Sequence, residues 1–272
     1  MAFRIKPRHY RMIERGAQRV LDFAHRHAYP ARGRNFPPIL INTLPKSGSV
    51  FLRRHLGQIL QVDGIRIKWG GLTKPTIADP KVETLSKGNL ICQEHLPPEE
   101  HILASLEEKV PRFVLHVRDP RQALVSWTHH INHIHSIGLH VATFQGVEGR
   151  LPPGYFDRTV GEQLAWQVEN YLPRSSKWIS DWLSIVDKPG GLSILVTTFD
   201  ELAADGRKIL ERILDFYRID YDPKWIKVDP PVPGKKHYRV GGADWRSAYT
   251  PDLLDRATAM ISERERQRFG WN

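Results

Sequence analysis

Cysteine is almost missing from this chain of 272 residues: Cys92 is the only one. A single thiol excludes an internal disulfide framework and fits a reducing compartment, so a cytoplasmic location is expected. Acidic residues are also short, 30 Asp and Glu against 40 Lys and Arg, which leaves a formal net charge of +10. That deficit favours acidic ligands, either nucleic acid or a polyphosphorylated nucleotide. No apolar run approaches the roughly 18 residues a membrane span needs, so no transmembrane segment is expected. Residues 1–34 are basic and lack the apolar core of a secretory signal. What is present, 40% apolar and 26% charged residues, is enough to bury a sizeable core. The expected layout is a basic helical extension over residues 1–35 and one domain over 36–272.

The chain is organised around residues 38–60. An apolar run over 39–44 reads as a strand, and Pro45-Lys46-Ser47-Gly48-Ser49 forms a tight turn. An amphipathic helix follows, with Leu52, Leu56, Ile59 and Leu60 on one face. Strand, small-residue turn and helix start together make a phosphate cradle. Backbone N–H groups and the helix dipole favour an anion at the helix N-terminus. Gly48 permits close approach of the backbone, Lys46 brings a positive point charge, and Ser47 and Ser49 bring hydroxyls. The same spacing also fits an ordinary strand-to-helix connection.

Taken in order, residues 8–27 predict a helix whose basic face could touch an acidic membrane or pack beside the domain. Residues 63–87 read as loop-rich, with turn signals at Gly70-Gly71, Lys74-Pro75 and Asp79-Pro80. Further strands are predicted at 89–93, 112–117 and 192–198. Helices are predicted at 99–108, through Ala123 to Trp127, at 159–186 and from Asp200 to about Tyr217. Trp166, Trp178 and Trp182 are expected in the core. The region 136–160 reads as a long surface loop. Residues 235–246 are basic and glycine-containing, able to fold over an anion or simply to turn into a final helix. That helix is capped by Thr250 and Pro251, with Leu253, Leu254, Ala257, Met260 and Ile261 as its apolar face. Short strands separated by helices predict an α/β fold, a mostly parallel central sheet flanked by helices. Ligands bind beyond the carboxyl ends of such strands. Lys46, His95 and Arg118 each follow a strand end, so one sheet edge gathers them.

These segments together resemble the sulfotransferases that use 3′-phosphoadenosine 5′-phosphosulfate (PAPS) and release the bisphosphate PAP. Pro45 to Ser49 is similar to that family's 5′-phosphosulfate loop. Glu94-His95-Leu96-Pro97 resembles the segment carrying the catalytic base. Val117-Arg118-Asp119-Pro120-Arg121, with Ala123 to Ser126, is similar to the segment holding the 3′-phosphate. Arg239 to Tyr249 resembles the late loop that closes over the nucleotide, and Thr198 to Leu202 stands where a tyrosine-containing turn lies near adenine. The resemblance implies a catalytic set of His95, Lys46 and Ser126. It implies a nucleotide-binding set of Lys46, Ser47, Gly48, Ser49, Val50, Phe51, Arg118, Ser126, Phe199, Arg239 and Gly241. The chain departs from the pattern at four places. Val50 stands where a threonine is usual, Gln93 for a lysine and Phe199 for a tyrosine, and 241–245 is an inexact copy of the late loop.

Under that resemblance His95 acts as general base for a hydroxyl or amine acceptor, and Lys46 stabilises charge on the departing nucleotide. No metal is needed in this scheme. His129 and His133 have zinc-ligand spacing but no evident third ligand, so a face lining the acceptor pocket, or a solvated face, is expected. A small-molecule acceptor is the expected partner. A P-loop kinase is disfavoured, because Lys46 precedes Gly48 and the loop is too short. A PAPS-binding protein without catalysis is the alternative reading, with Gln93 as its mark. A nucleic-acid-binding protein ranks last, since the basic residues are dispersed and carry no such motif.

Overall fold

The computed structural model describes residues 35–69, 76–138, 151–188, 190–228 and 244–272. The basic extension, Arg239 and Gly241 lie outside these residues, as does the segment 139–150.

The central strand, β1 (Ile39–Thr43), is buried along its whole length. Helix α1 (Ser49–Leu60) follows the turn, and its buried face includes Leu52, Leu56, Ile59 and Leu60, as the i, i+4, i+7, i+8 spacing requires. Three short strands come next, β2 (Asp63–Ile65), β3 (Lys68–Trp69) and β4 (Thr76–Ile77), and then α2 (Asp79–Ser86). Over its described residues the reading of 63–87 as loop-rich is therefore corrected, since they hold a sheet edge strand and a two-turn helix; the turn signals at Gly70-Gly71 and Lys74-Pro75 lie outside the described residues. Asp79-Pro80, read as a turn, is the start of that helix, where proline costs no hydrogen bond.

The next units are β5 (Leu90–Glu94), α3 (Glu100–Lys109), β6 (Arg112–Val117) and α4 (Pro120–Ser136). The predicted 159–186 helix is two helices, α5 (Val160–Asn170) and α6 (Leu172–Val186), with Pro173 at the start of the second. After β7 (Ser193–Thr198), the predicted 200–217 helix is also two, α7 (Phe199–Ala204) and α8 (Gly206–Phe216). Asp205 breaks them by accepting from the amides of Arg207 and Lys208, which favours a new helix start. The final helix likewise divides into α9 (Pro251–Ala259) and α10 (Glu263–Phe269), because Ser262 forms a capping box with Glu265. Met260 therefore lies between the two helices and is exposed rather than on a buried face.

The main sheet has five strands in the order β2-β5-β1-β6-β7, all parallel, and β3 and β4 form a separate antiparallel pair. Alternating residues feed two cores. Leu40, Cys92, Phe113 and Leu115 face one side with Trp182. Ile39, Ile41, Ile91 and Val114 face the other, against Leu52 and Leu56 of α1 and Ile213 of α8. Covered on both faces, the central strands β5, β1 and β6 are buried along nearly their whole length, which explains why they read as continuous apolar runs.

Candidate active site

Because all five strands run the same way, β1, β5 and β6 end at one edge. Register then decides what meets there. Asn42 pairs with Glu94 and Thr43 with His116. One step further, His95 falls beside Thr43, and Arg118 beside the turn that follows β1.

In that turn Lys46 has φ 67° and Gly48 has φ 86°. The conformation at Gly48 requires glycine, and a Cβ there would meet Leu202 Cδ2 at 2.6 Å, so the leucine side chain would have to shift as well. Among the described residues no side chain caps α1, and its first turn has no acidic residue. Its leading amides and positive dipole end are thus left for an anion. The Ser47 hydroxyl is buried and has no hydrogen-bond partner among the described residues. A buried polar group is normally satisfied, and a phosphate oxygen would satisfy this one. Ser49 is buried beside it, while Val50 faces solvent. Phe51 packs on the His55 ring at a centroid distance of 3.9 Å.

Arg118 reaches across from the end of β6. Its Nη1 donates to the Lys46 carbonyl at 2.6 Å and its Nε to Gln122 Oε1 at 2.8 Å. The guanidinium lies 3.7 Å from the centre of the Phe199 ring. The aromatic face that replaces a tyrosine here is thus a stacking platform for arginine. Burial lowers the Arg118 pKa to about 10, with Asp200 and Asp119 opposing the shift, so it stays charged at neutral pH. Ser126 is on the second turn of α4 and half-buried.

His95 is oriented by backbone. Its Nδ1 donates to the Thr43 carbonyl at 2.6 Å, with Thr43 Oγ1 3.1 Å away. Nδ1 must carry the proton to face a carbonyl, so Nε2 carries the lone pair in the neutral ring. Gln93 Nε2 lies 3.3 Å from it, placed to donate. Burial lowers the His95 pKa to about 4. The Thr43 carbonyl pulls it upward, and the charges of Arg66 and Lys68 push it further down. The imidazole is therefore neutral at physiological pH.

Several residues that sequence reasoning passed over build this edge. Asn42 grips the residue after His95 twice: Leu96 N donates to Asn42 Oδ1 at 2.7 Å, and Asn42 Nδ2 donates to the Leu96 carbonyl at 3.1 Å. Trp178 and Trp182 each donate an indole N–H to the same carbonyl at 2.8 Å. Both tryptophans do pack in the core, as expected, and they also fix the backbone beside His95. Glu94 is fully buried, and its Oε1 accepts from Arg66 Nε and Ile67 N at 3.0 Å and from Lys68 N at 3.2 Å. Its Oε2 is 2.9 Å from Arg66 Nη2, a close ion pair without hydrogen-bond alignment. A buried glutamate directly before the candidate base was the signal available in the sequence; its partners come from a segment read as loop.

Arg121, fully buried, binds Asp119 and Thr258 Oγ1, and Tyr249 donates to its carbonyl at 2.7 Å. These contacts dock residues 244–272 against the start of α4. Trp127 stacks on Tyr171 at 5.7 Å and His135 on Phe156 at 3.7 Å, giving the far part of α4 an aromatic surface. Among the described residues no group of three or more His, Cys, Asp or Glu could hold a metal ion, and no helix is long and apolar enough to cross a membrane.

A parallel sheet with an uncapped glycine turn after β1, and a histidine and an arginine converging on it, is the architecture of a nucleotide-dependent group-transfer enzyme. The sulfotransferase domain family profile matches residues 36–227, and the chain belongs to that family. Its fold is similar to that of a mouse sulfotransferase, SULT7A1, solved in complex with PAP. Identity is 15%, the match covers 84% of this chain and 83% of that one, and the TM-score is 0.54. The sulfotransferase domain of the Synechococcus PCC 7002 olefin synthase matches at 14% identity over 85% of this chain and 97% of that one, with a TM-score of 0.47. No curated protein sequence matches.

Proposed function

We propose that the chain moves the sulfuryl group of PAPS to a hydroxyl or amine of a small-molecule acceptor, by in-line transfer with His95 as general base. PAPS supplies an activated sulfuryl group on a phosphate leaving group. The 45–49 turn and the α1 amides bind the 5′ end, and the buried Ser47 hydroxyl completes its hydrogen bonding there. Lys46, on the same turn, stabilises the charge that grows on the departing phosphate. Arg118 and Ser126 hold the 3′-phosphate, and Arg239 and Gly241 close over the nucleotide. The stacking of Arg118 on Phe199 leaves N–H groups at the edge of the guanidinium for that phosphate. His95 takes the acceptor proton on Nε2 while its Nδ1–H stays on the Thr43 carbonyl, which stabilises the charged ring as it forms.

The observation that carries this reading is the neutral His95, tied through Nδ1 with Nε2 as its basic atom, on the same sheet edge as a phosphate cradle with an unsatisfied buried hydroxyl. The alternative, a nucleotide-binding protein without catalysis, leaves that orientation unexplained. The test is incubation with labelled PAPS and a panel of phenols, alcohols, amines and sugars, with His95→Ala alongside. Transfer by the wild type and its loss in the variant are expected. A wild type that does not bind PAP overturns the nucleotide assignment, and a variant that transfers at the wild-type rate overturns the base.

A further inference from the structure

We propose that His116 is a positioning residue for the phosphosulfate loop, its imidazole holding the Ser47 carbonyl inward so that the Gly48 amide is aimed at the anion. The inference rests on reading the 45–49 turn as the 5′-phosphosulfate site.

His116 is on β6, beneath the turn, and has no exposed surface. Its Nε2 lies 2.7 Å from the Ser47 carbonyl and its Nδ1 lies 2.8 Å from Thr197 Oγ1 on β7. A carbonyl only accepts, so Nε2 carries the hydrogen. Nδ1 then has the lone pair and accepts the threonine hydroxyl. The Ser47 carbonyl thus fixes the tautomer, and Thr197, the direct register partner of His116, supplies the hydroxyl that satisfies Nδ1 and holds the ring toward the loop. The backbone takes part as well: Leu44 N donates to the His116 carbonyl at 3.0 Å. One residue thus holds both ends of residues 44–47.

The described peptide bonds are all trans. In a trans peptide the C=O and the following N–H point in opposite directions. Pulling the Ser47 carbonyl toward the sheet therefore turns the Gly48 N–H away from it. Arg118 does the same one residue earlier, by holding the Lys46 carbonyl at 2.6 Å and so turning the Ser47 N–H outward. Two successive amides are thus oriented by two buried donors. With the left-handed conformations of Lys46 and Gly48, this forms a nest of the kind that binds anions. Preorganised N–H groups need no reorganisation when charge arrives.

Burial lowers the His116 pKa to about 4, with the Ser47 carbonyl opposing and Arg118 adding to the shift. The neutral ring described by the geometry is therefore the form present at neutral pH.

The test compares PAP with adenosine 3′-monophosphate, which lacks the 5′-phosphate, by calorimetric titration. His116→Phe removes the donor and nearly keeps the volume. PAP affinity is expected to fall about tenfold while adenosine 3′-monophosphate affinity and the acceptor KM stay unchanged. His116→Gln can still donate to Ser47 and is expected to bind PAP within about threefold of wild type. Equal losses for both nucleotides, or no loss for PAP, overturn the inference. If His116→Phe does not fold, Thr197→Val replaces it. Without its hydroxyl partner Nδ1 is left buried and unsatisfied and the ring is no longer held against Ser47, so PAP affinity is expected to fall several-fold with the same selectivity. Unchanged PAP affinity in that variant also overturns the inference. A wild type that fails to bind PAP fails the site assignment itself, whereas variants that bind like a PAP-competent wild type fail only the role of His116.

Discussion

The side-chain amide nitrogen of Gln93 lies 3.3 Å from Nε2 of His95, the atom that must receive a proton if His95 is the base. A donor at that lone pair favours the neutral ring and opposes its protonation. An acceptor hydroxyl would have to displace this amide to reach Nε2. Gln93→Ala is therefore expected to raise the His95 pKa from its value of about 4. The acid limb of kcat/KM should move to higher pH, with a change in kcat of less than about tenfold, whereas His95→Ala should cost about 10²–10⁴ in rate. A pH–rate profile with parallel histidine NMR titration checks this; an unmoved acid limb in Gln93→Ala rejects the contact.

Both histidines of the sheet edge have pKa values lowered to about 4. The unfolded chain protonates them near pH 6.5, so it binds more protons than the native state between about pH 6.5 and 4. Their contribution to stability is thus fully present above about pH 6.5 and is lost as pH falls toward 4. The expected slope is on the order of 1.4 kcal/mol per pH unit for each histidine. Urea unfolding at several pH values between 7 and 4.5 measures it, and His116→Gln should flatten the slope.

At Gly48 the backbone is left-handed and the place of a Cβ is occupied by Leu202 Cδ2 at 2.6 Å. Gly48→Ala is expected to destabilise the fold by about 1–3 kcal/mol. By shifting the turn it should weaken PAP binding more than about tenfold. A thermal melt with calorimetric titration reads both, and wild-type PAP affinity in the variant would show that the turn does not hold the nucleotide.

Asn42 is fully buried, and both of its side-chain ends bond the Leu96 backbone. Asn42→Ala leaves the Leu96 amide without that acceptor, and is expected to cost about 1–3 kcal/mol in urea unfolding. Because Leu96 follows His95, kcat should fall while PAP affinity holds. Loss of both in proportion would assign Asn42 to general stability alone.

The local code of this protein was largely readable. The apolar runs became β1, β5, β6 and β7, and the helical periodicity of residues 52–60 buries the predicted side chains. The resemblance carried by the 44–49, 94–97 and 117–126 segments pointed to the family that the chain belongs to. Strand β2 escaped because Asp63-Gly64-Ile65 is short and polar enough to read as a turn. Helices α5 and α6, and α7 and α8, merged in the sequence reading because apolar spacing continues across each break, whereas single caps and prolines decide where a helix stops. The partners of the site residues were the part that no local pattern contains. That His95 faces the Thr43 carbonyl, that His116 reaches from Ser47 to Thr197, and that two tryptophans of α6 meet at Leu96 all follow from strand order and register. Those are relations between residues dozens of positions apart. The sequence by itself determined which residues could cradle an anion and which could take a proton. The tertiary structure alone decided which carbonyls hold them in place, since a hydrogen bond depends on ångström-scale distance and direction that only the packed sheet sets.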